Sequence, residues 1–149
     1  MPAGWARGRL PWEAEWECAA RGGTRFAEYP WGKERPTSIR ANIDRVMAST
    51  TPVDEHPQGC NAFGLYDMCG NVWEWCADVY DAEWYSVLRH NIANPRNEGT
   101  GGPRTLRGGC FESVATAGRC AFRHFFDSAR RRRDVGFRVA YDVQESIDP

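Results

Sequence analysis

The side chains best suited to chemistry are six cysteines, at positions 18, 60, 69, 76, 110 and 120. A deprotonated thiol is a nucleophile and a soft metal ligand, so the spacing of the sulfurs decides what they could do. No Cys-x-x-Cys occurs, and His56, His90 and His124 are scattered, so no zinc pattern emerges. An even count marks a disulfide framework in short secreted chains, and little else points to such a chain. The expectation is free thiols packed as small hydrophobes.

The second concentration of chemistry is residues 112–134 (ESVATAGRCAFRHFFDSARRRRD). It holds six arginines, the run His124, Phe125, Phe126, and four consecutive arginines from Arg130 to Arg133. A charge run is ordinarily a solvated face. Arginine beside exposed phenylalanine is also what interface hot spots favour, and guanidinium forks pair with carboxylates. The expectation is a binding surface built from Glu112, Ser113, Phe122, His124, Phe125, Phe126, Asp127, Arg130, Arg132 and Arg133. If the aromatics and arginines share one face, an acidic protein or another anionic ligand is its natural partner.

Elements must hold these residues in place. Residues 11–21 read as a helix, with Trp12, Trp16, Ala19 and Ala20 near i, i+4, i+7 and i+8 and three early glutamates facing the dipole. Gly22-Gly23 stops it. Residues 26–32 are a short extended piece, 33–61 a polar loop, 81–90 a short helix, and 91–104 a Gly/Pro/Asn loop. Residues 105–111 and 135–141 read as strands, the second with Val135, Phe137 and Val139 on one apolar face. These two strands would anchor the 112–134 segment, the place where a scaffold carries a binding loop.

The chain of 149 residues is one domain, 1–149, long enough to bury a core without staples. Its 26% charged and 42% hydrophobic residues are those of a folded chain. Seven Trp and fifteen Gly point to irregular backbone around large rings, a loop-rich α+β domain. A net charge of −1 excludes a general nucleic-acid binder. No apolar run reaches the ~18 residues of a membrane span, and no apolar leader opens the chain. The expected location is the cytoplasm.

Four blocks in order, RLPWEAEWECAARGG (9–23), NAFGLYDMCGNVWEWCAD (61–78), LRGGCF (106–111) and RCAFR…RRRDVGFRVA (119–140), resemble the formylglycine-generating-enzyme, or sulfatase-modifying-factor, family. The family-matching core is 9–140. The resemblance implies an α+β, C-type-lectin-like fold in which an opening strand pairs with the closing one. Only eight residues precede Arg9, so that strand and helix are expected to be missing. A partner subunit or a second copy would then complete the sheet beside 136–141 and cover an open edge. Trp12 stands where the family usually has a capping Thr, a loss of ~1 kcal/mol.

The resemblance also implies cofactors. The family's oxidases hold copper with two cysteines, the first three residues after the Ser of a Gly-Gly-Ser-aromatic motif. Here Gly108-Gly109-Cys110 stands at that triplet and Ser113 at the first ligand's place. No cysteine falls near Ala117 or Gly118, where the second belongs, so copper is not expected. An oxidoreductase with altered ligands, such as Cys110 with Cys120, is the alternative reading. RHFF (123–126) is similar to the iron-dependent sulfoxide synthases of the family, whose His-rich site lies in a separate helical domain. A structural calcium ion is implied at Asp67, the Gly70 and Val72 carbonyls, and Glu74, an oxygen set that suits a hard cation. The family's other calcium site, at Asn42-Ile43, is expected to be absent because the stretch 44–51 is too short.

Residues 112–134 further resemble the variable region of proteins diversified by retroelements, in length and in the placing of Arg119, Arg123 and Arg131. Adenine-directed change of an Asn codon never yields Lys, Glu, Gln, Trp or Met, and none of these occurs from Ser113 to Asp134. The expected function is therefore non-catalytic: a recognition or accessory domain binding through 112–134. A purely structural subunit of a larger assembly is the third reading.

Overall fold

The computed structural model describes residues 7–23, 26–88 and 92–142. Helix α1 (Glu13–Ala20) sits inside the expected 11–21 span. Trp12 at the N-cap has no side-chain acceptor, and two carboxylates take over its role. Glu15 accepts the Trp12 N–H at 2.9 Å, and Asp78 accepts the Glu13 N–H at 2.6 Å from a strand on the far side of the chain. The orphan donors of a helix start are thus satisfied by negative charge at the positive end of the dipole. At the other end Gly22 adopts φ +66°, its N–H bonds the Ala19 carbonyl, and the Gly23 N–H bonds that of Cys18. This is the Schellman pattern, and the left-handed residue in it is a glycine.

Four strands form one sheet in the order β3-β2-β1-β4. They are β1 (Trp73–Val79), β2 (Arg104–Arg107), β3 (His124–Phe126) and β4 (Val135–Gly136). β1 pairs antiparallel with β2 and parallel with β4, and β2 pairs antiparallel with β3. Both expected strands are shorter than their patterns. β2 ends at Arg107 because Gly108 and Gly109, at φ +93° and +78°, turn the chain beneath the Trp16 ring and Ile43. The expected 135–141 strand keeps two laddered residues, and Phe137 is half exposed. Farther along, Arg9 and Ala140 exchange both backbone bonds, at 3.0 and 2.8 Å, so the segment before α1 does meet the closing segment at one rung.

The expected helix at 81–90 is one turn, α2 (Trp84–Val87), nucleated by Asp81 accepting the Glu83 N–H; residues 89 and 90 lie outside the described ones. Residues 29–32 close as a tight turn with reciprocal Tyr29–Gly32 bonds at 2.8 and 3.0 Å. The core is divided into three clusters, around Trp16 and Met68, around Tyr29 and Ile43, and around Trp73 and Leu106. All six cysteines are free thiols. Among the described residues no helix is long and apolar enough to cross a membrane.

Candidate binding face

Strand alternation gives the sheet two unlike faces. The register Glu74↔Arg107 and Thr105↔Phe125 sets polar residues toward α1, while Trp75↔Leu106 and Leu106↔His124 set apolar ones on the other side.

The face toward α1 is a buried ion network. Arg107, wholly buried, pairs with Glu17 and lies 3.7 Å from Glu13, and it donates to the Phe122 and Cys120 carbonyls at 2.7 and 2.8 Å. Its guanidinium lies 5.3 Å from the centre of the Trp16 ring. Arg123 forks onto Glu13 at 2.6 and 2.9 Å. Arg138 forks onto Glu74 at 2.6 Å for each oxygen, and the Trp16 indole N–H donates to the same carboxylate at 2.6 Å. Such pairs define a register more than they add net stability, because desolvation opposes the attraction.

The opposite face carries Trp73, Trp75, Leu106, Phe122, Phe126 and Val135, packed around Cys110 and Ala117. His124 rises exposed beside Trp73, with ring centres 4.9 Å apart, and burial of its inner edge pushes its pKa below the ordinary value. The Arg132 guanidinium covers the Phe126 ring at 4.9 Å and grips Asp134 with two bonds of 2.7 Å. That Arg132 hydrogen bond holds the Asp134 carboxyl below its usual range.

The expected surface is thus divided. Phe122, His124 and Phe126 share the Trp73 side. Phe125 does not: in the middle of β3 it points the other way and lies tilted against Tyr80, with ring centres 4.5 Å apart. The single aromatic face read from the sequence is corrected on this point, because three consecutive strand residues cannot share a side. The arginine run is less free than its charge implies. Arg132 pairs with Asp134, Arg133 with Glu112, and Arg130 approaches Asp127 at 4.0 Å. Asp127 also accepts the Ala129 N–H, closing the turn after β3. Ser113 faces inward: its hydroxyl accepts the Cys110 N–H at 3.0 Å and lies 3.2 Å from the Cys110 sulfur. Sequence reasoning passed over Trp73 and Trp75, whose alternation in WEW is the signal that puts both on this face, and over Tyr80 and Tyr85, which flank Arg123 at 4.9 and 4.8 Å.

Burial pushes the Cys69 and Cys76 thiols up, and that of Cys120 up to about 11, so they stay protonated at neutral pH. Cys110 and Cys120 belong to different core clusters. Among the described residues no three His, Cys, Asp or Glu side chains converge as a metal site.

The Asp67–Glu74 turn has a different character. Asp67 and Asn71 both adopt left-handed backbone, at φ +54° and +62°, on either side of Gly70 at +87°. Asp67 accepts one bond, from the Asn71 amide at 2.9 Å, and burial pushes its carboxyl up. On Glu74, Oε2 takes both the Trp16 indole and Arg138 Nε, whereas Oε1 takes Arg138 Nη2 alone. No turn or loop hydrogen bond among the described residues ends on the Gly70 or Val72 carbonyl. Four oxygens on this turn therefore keep an open lone pair.

A twisted mixed sheet with two short helices, long ordered loops and a closing segment returning beside the start defines a C-type-lectin-like domain. The chain belongs to the family described as "Sulfatase-modifying factor enzyme 1-like domain", which it matches over residues 3–143. It is 43% identical over 95% of its length to "Serine/threonine-protein kinase pkn1" of Chlamydia pneumoniae, covering 22% of that protein. It is 38% identical over 94% of its length to "Formylglycine-generating enzyme" of Thermomonospora curvata, covering 51% of it. The solved structure of Treponema denticola variable protein 1 superposes with a TM-score of 0.69 at 30% identity, over 88% of this chain and 46% of that one. The chain therefore spans between a fifth and a half of these relatives.

Proposed function

We propose that this chain is a recognition module of the family, binding an acidic protein ligand through the His124–Phe126–Arg132 face. The observation that carries the reading is Ser113. It stands at the place of the oxidases' first copper cysteine, and its hydroxyl is spent on the Cys110 N–H. A hydroxyl is a hard, weak donor for Cu(I), so the position serves the fold rather than an oxidation. The likeness to a domain making up a fifth of a kinase polypeptide supports a role beside another activity. Phe126 under Arg132 is an aromatic–guanidinium pair of the kind interface hot spots use. The likeness to a Treponema variable protein supports a variable ligand face at 112–134. A strand supplied by a second copy or partner along 136–141 belongs to the same proposal; Phe137 and Tyr141, each more than half exposed, are the side chains it would cover.

Phe126→Ala and Arg132→Ala are expected to lose the partner that the unaltered chain captures from its own source, with melting temperatures kept within about 2–4 °C, the shift of roughly 1 kcal/mol. Undiminished capture by both variants would remove this face from recognition. An oxidase would bind Cu(I) stoichiometrically and turn the cysteine of a CxPxR peptide into an aldehyde, and either result would replace this reading.

A structural cation is part of the proposal. Asp67, the Gly70 and Val72 carbonyls, and Glu74 Oε1 would hold calcium, which would supply a full positive charge beside partly buried Asp67. Calcium is expected to raise the melting temperature over that in chelator by several degrees, and Asp67→Asn to abolish the difference. In chelator Asp67→Asn should melt no lower than the parent, because it removes a partly buried carboxylate whose charged form burial disfavours. Equal melting of the parent in calcium and in chelator would reject the site.

A further inference from the structure

Beside the proposed face, an open cleft of about 500 Å³ lies between the loop 45–48 and the chain around Phe111. It is lined by Val46 and Met47, both more than two-fifths exposed, with the buried Phe111 ring behind them. Its rims are two arginines of different status. Arg133 lies 5.6 Å from the Phe111 ring centre and is already paired with Glu112. Arg45 has no acidic partner among the described residues. The walls are tied by backbone bonds, Asp44 N–H to the Ser113 carbonyl at 2.8 Å and Arg45 N–H to the Phe111 carbonyl at 2.9 Å. Those two bonds hold both Asp44 and Arg45 in left-handed backbone, at φ +63° and +60°. Non-glycine residues seldom enter that region, and two in succession are kept only where surrounding structure imposes them. The outcome is an apolar floor with one unneutralised guanidinium at its lip, presented by a fixed loop.

We propose that this cleft is a peptide subsite: it takes a bulky aliphatic side chain on Val46 and Met47, backed by Phe111, and the adjacent carboxylate of the same peptide on Arg45. The inference rests on the recognition reading above, whose ligand chemistry it names. Burial of one aliphatic side chain supplies affinity, and a charge-assisted bond to Arg45 supplies selectivity for acidic sequences. A polar or phosphate-only ligand would leave the floor uncovered, and a neutral peptide would leave Arg45 unpaired.

The test is a titration of the isotope-labelled chain with N-acetyl-leucyl-aspartyl amide, followed by backbone amide shifts. Residues 45–48 and 111–113 are expected to move together. The leucyl-asparaginyl amide, which differs by charge alone, should bind about tenfold more weakly, the loss of one charge-assisted bond. Arg45→Asn, which keeps a residue at ease in left-handed backbone, should erase that preference at unchanged melting temperature. Met47→Gln should weaken both peptides alike. Equal binding of acid and amide, shifts centred elsewhere, or the same shifts from inorganic phosphate would overturn the proposal. Failure of the recognition reading is a separate result, read as partner capture that survives Phe126→Ala and Arg132→Ala.

Discussion

Arg107→Met is expected to destabilise the chain more than any exposed substitution, by about 3–5 kcal/mol, the cost of removing one partner from a buried ion network. The side chain is wholly buried and serves two carboxylates and two carbonyls at once. Methionine fills much of its volume, so the cavity term is small and the lost charge decides the outcome. Glu13, itself buried, keeps Arg123, and Glu17 keeps Arg21, but the Phe122 and Cys120 carbonyls lose their donor. The network is not ideal even in the parent, because Arg107 Nε is buried without a hydrogen-bond partner. For a domain of this size the loss corresponds to a melting shift of about 10 °C or more. Arg130→Met, on an arginine about three-quarters exposed, is the comparison and should change stability by less than ~0.5 kcal/mol. A melting temperature for Arg107→Met within the range of Arg130→Met would show that the network contributes nothing to the fold.

What the sequence made legible follows from what is local. α1 was readable from its period, and its end from Gly22-Gly23, because both signals lie within a few residues of the structure they specify. That Trp12 does not cap was legible too; what was not is where the replacement acceptors lie, one on Glu15 and the other on Asp78, 65 positions away from Glu13. The strand at 135–141 was overextended because alternation marks where a strand could form, whereas a ladder needs a neighbour, and β1 runs beside Val135 and Gly136 alone. The α+β, lectin-like class was legible from four sequence blocks rather than from composition. At the proposed binding face, Phe122, His124 and Phe126 lie together on the Trp73 side, whereas Phe125 lies on the other. Adjacent letters suggest one surface, and period-2 geometry divides them. The arginine run read as one free charge, yet Asp127 and Asp134 beside it take up Arg130 and Arg132, and the partner of Arg133 is tertiary: Glu112 lies 21 residues away. The cleft at 45–48 had no sequence signal, since a polar loop gives no hint that its backbone will be clamped to 111–113.

Arg123→Ala is expected to cost about 2–3 kcal/mol and, with the fold, the proposed recognition face. The estimate lies below the buried-pair range because the side chain is partly solvated and Glu13 keeps a weaker contact with Arg107. Arg123 is where the variable-looking segment is fastened to the rest of the chain. Its fork holds Glu13 on α1, its third nitrogen donates to the Asp81 carbonyl at 2.9 Å, and its plane sits between Tyr80 and Tyr85. The next residue begins β3, a three-residue edge strand with β2 on one side. Without Arg123 that strand loses its charged tie to α1, and Phe125 loses the firmness of the Tyr80 surface on which it lies. Arg123→Lys keeps the charge but not the fork or the stacking plane, so it should recover less than half of the loss. The decisive comparison is with Phe126→Ala. Both variants should fail to capture the partner, yet Arg123→Ala alone should lower the melting temperature markedly, by roughly 4–12 °C. An Arg123→Ala chain that melts like the parent would mean that β3 is held by its ladder alone, and that the ion pair with Glu13 is incidental to the face it adjoins.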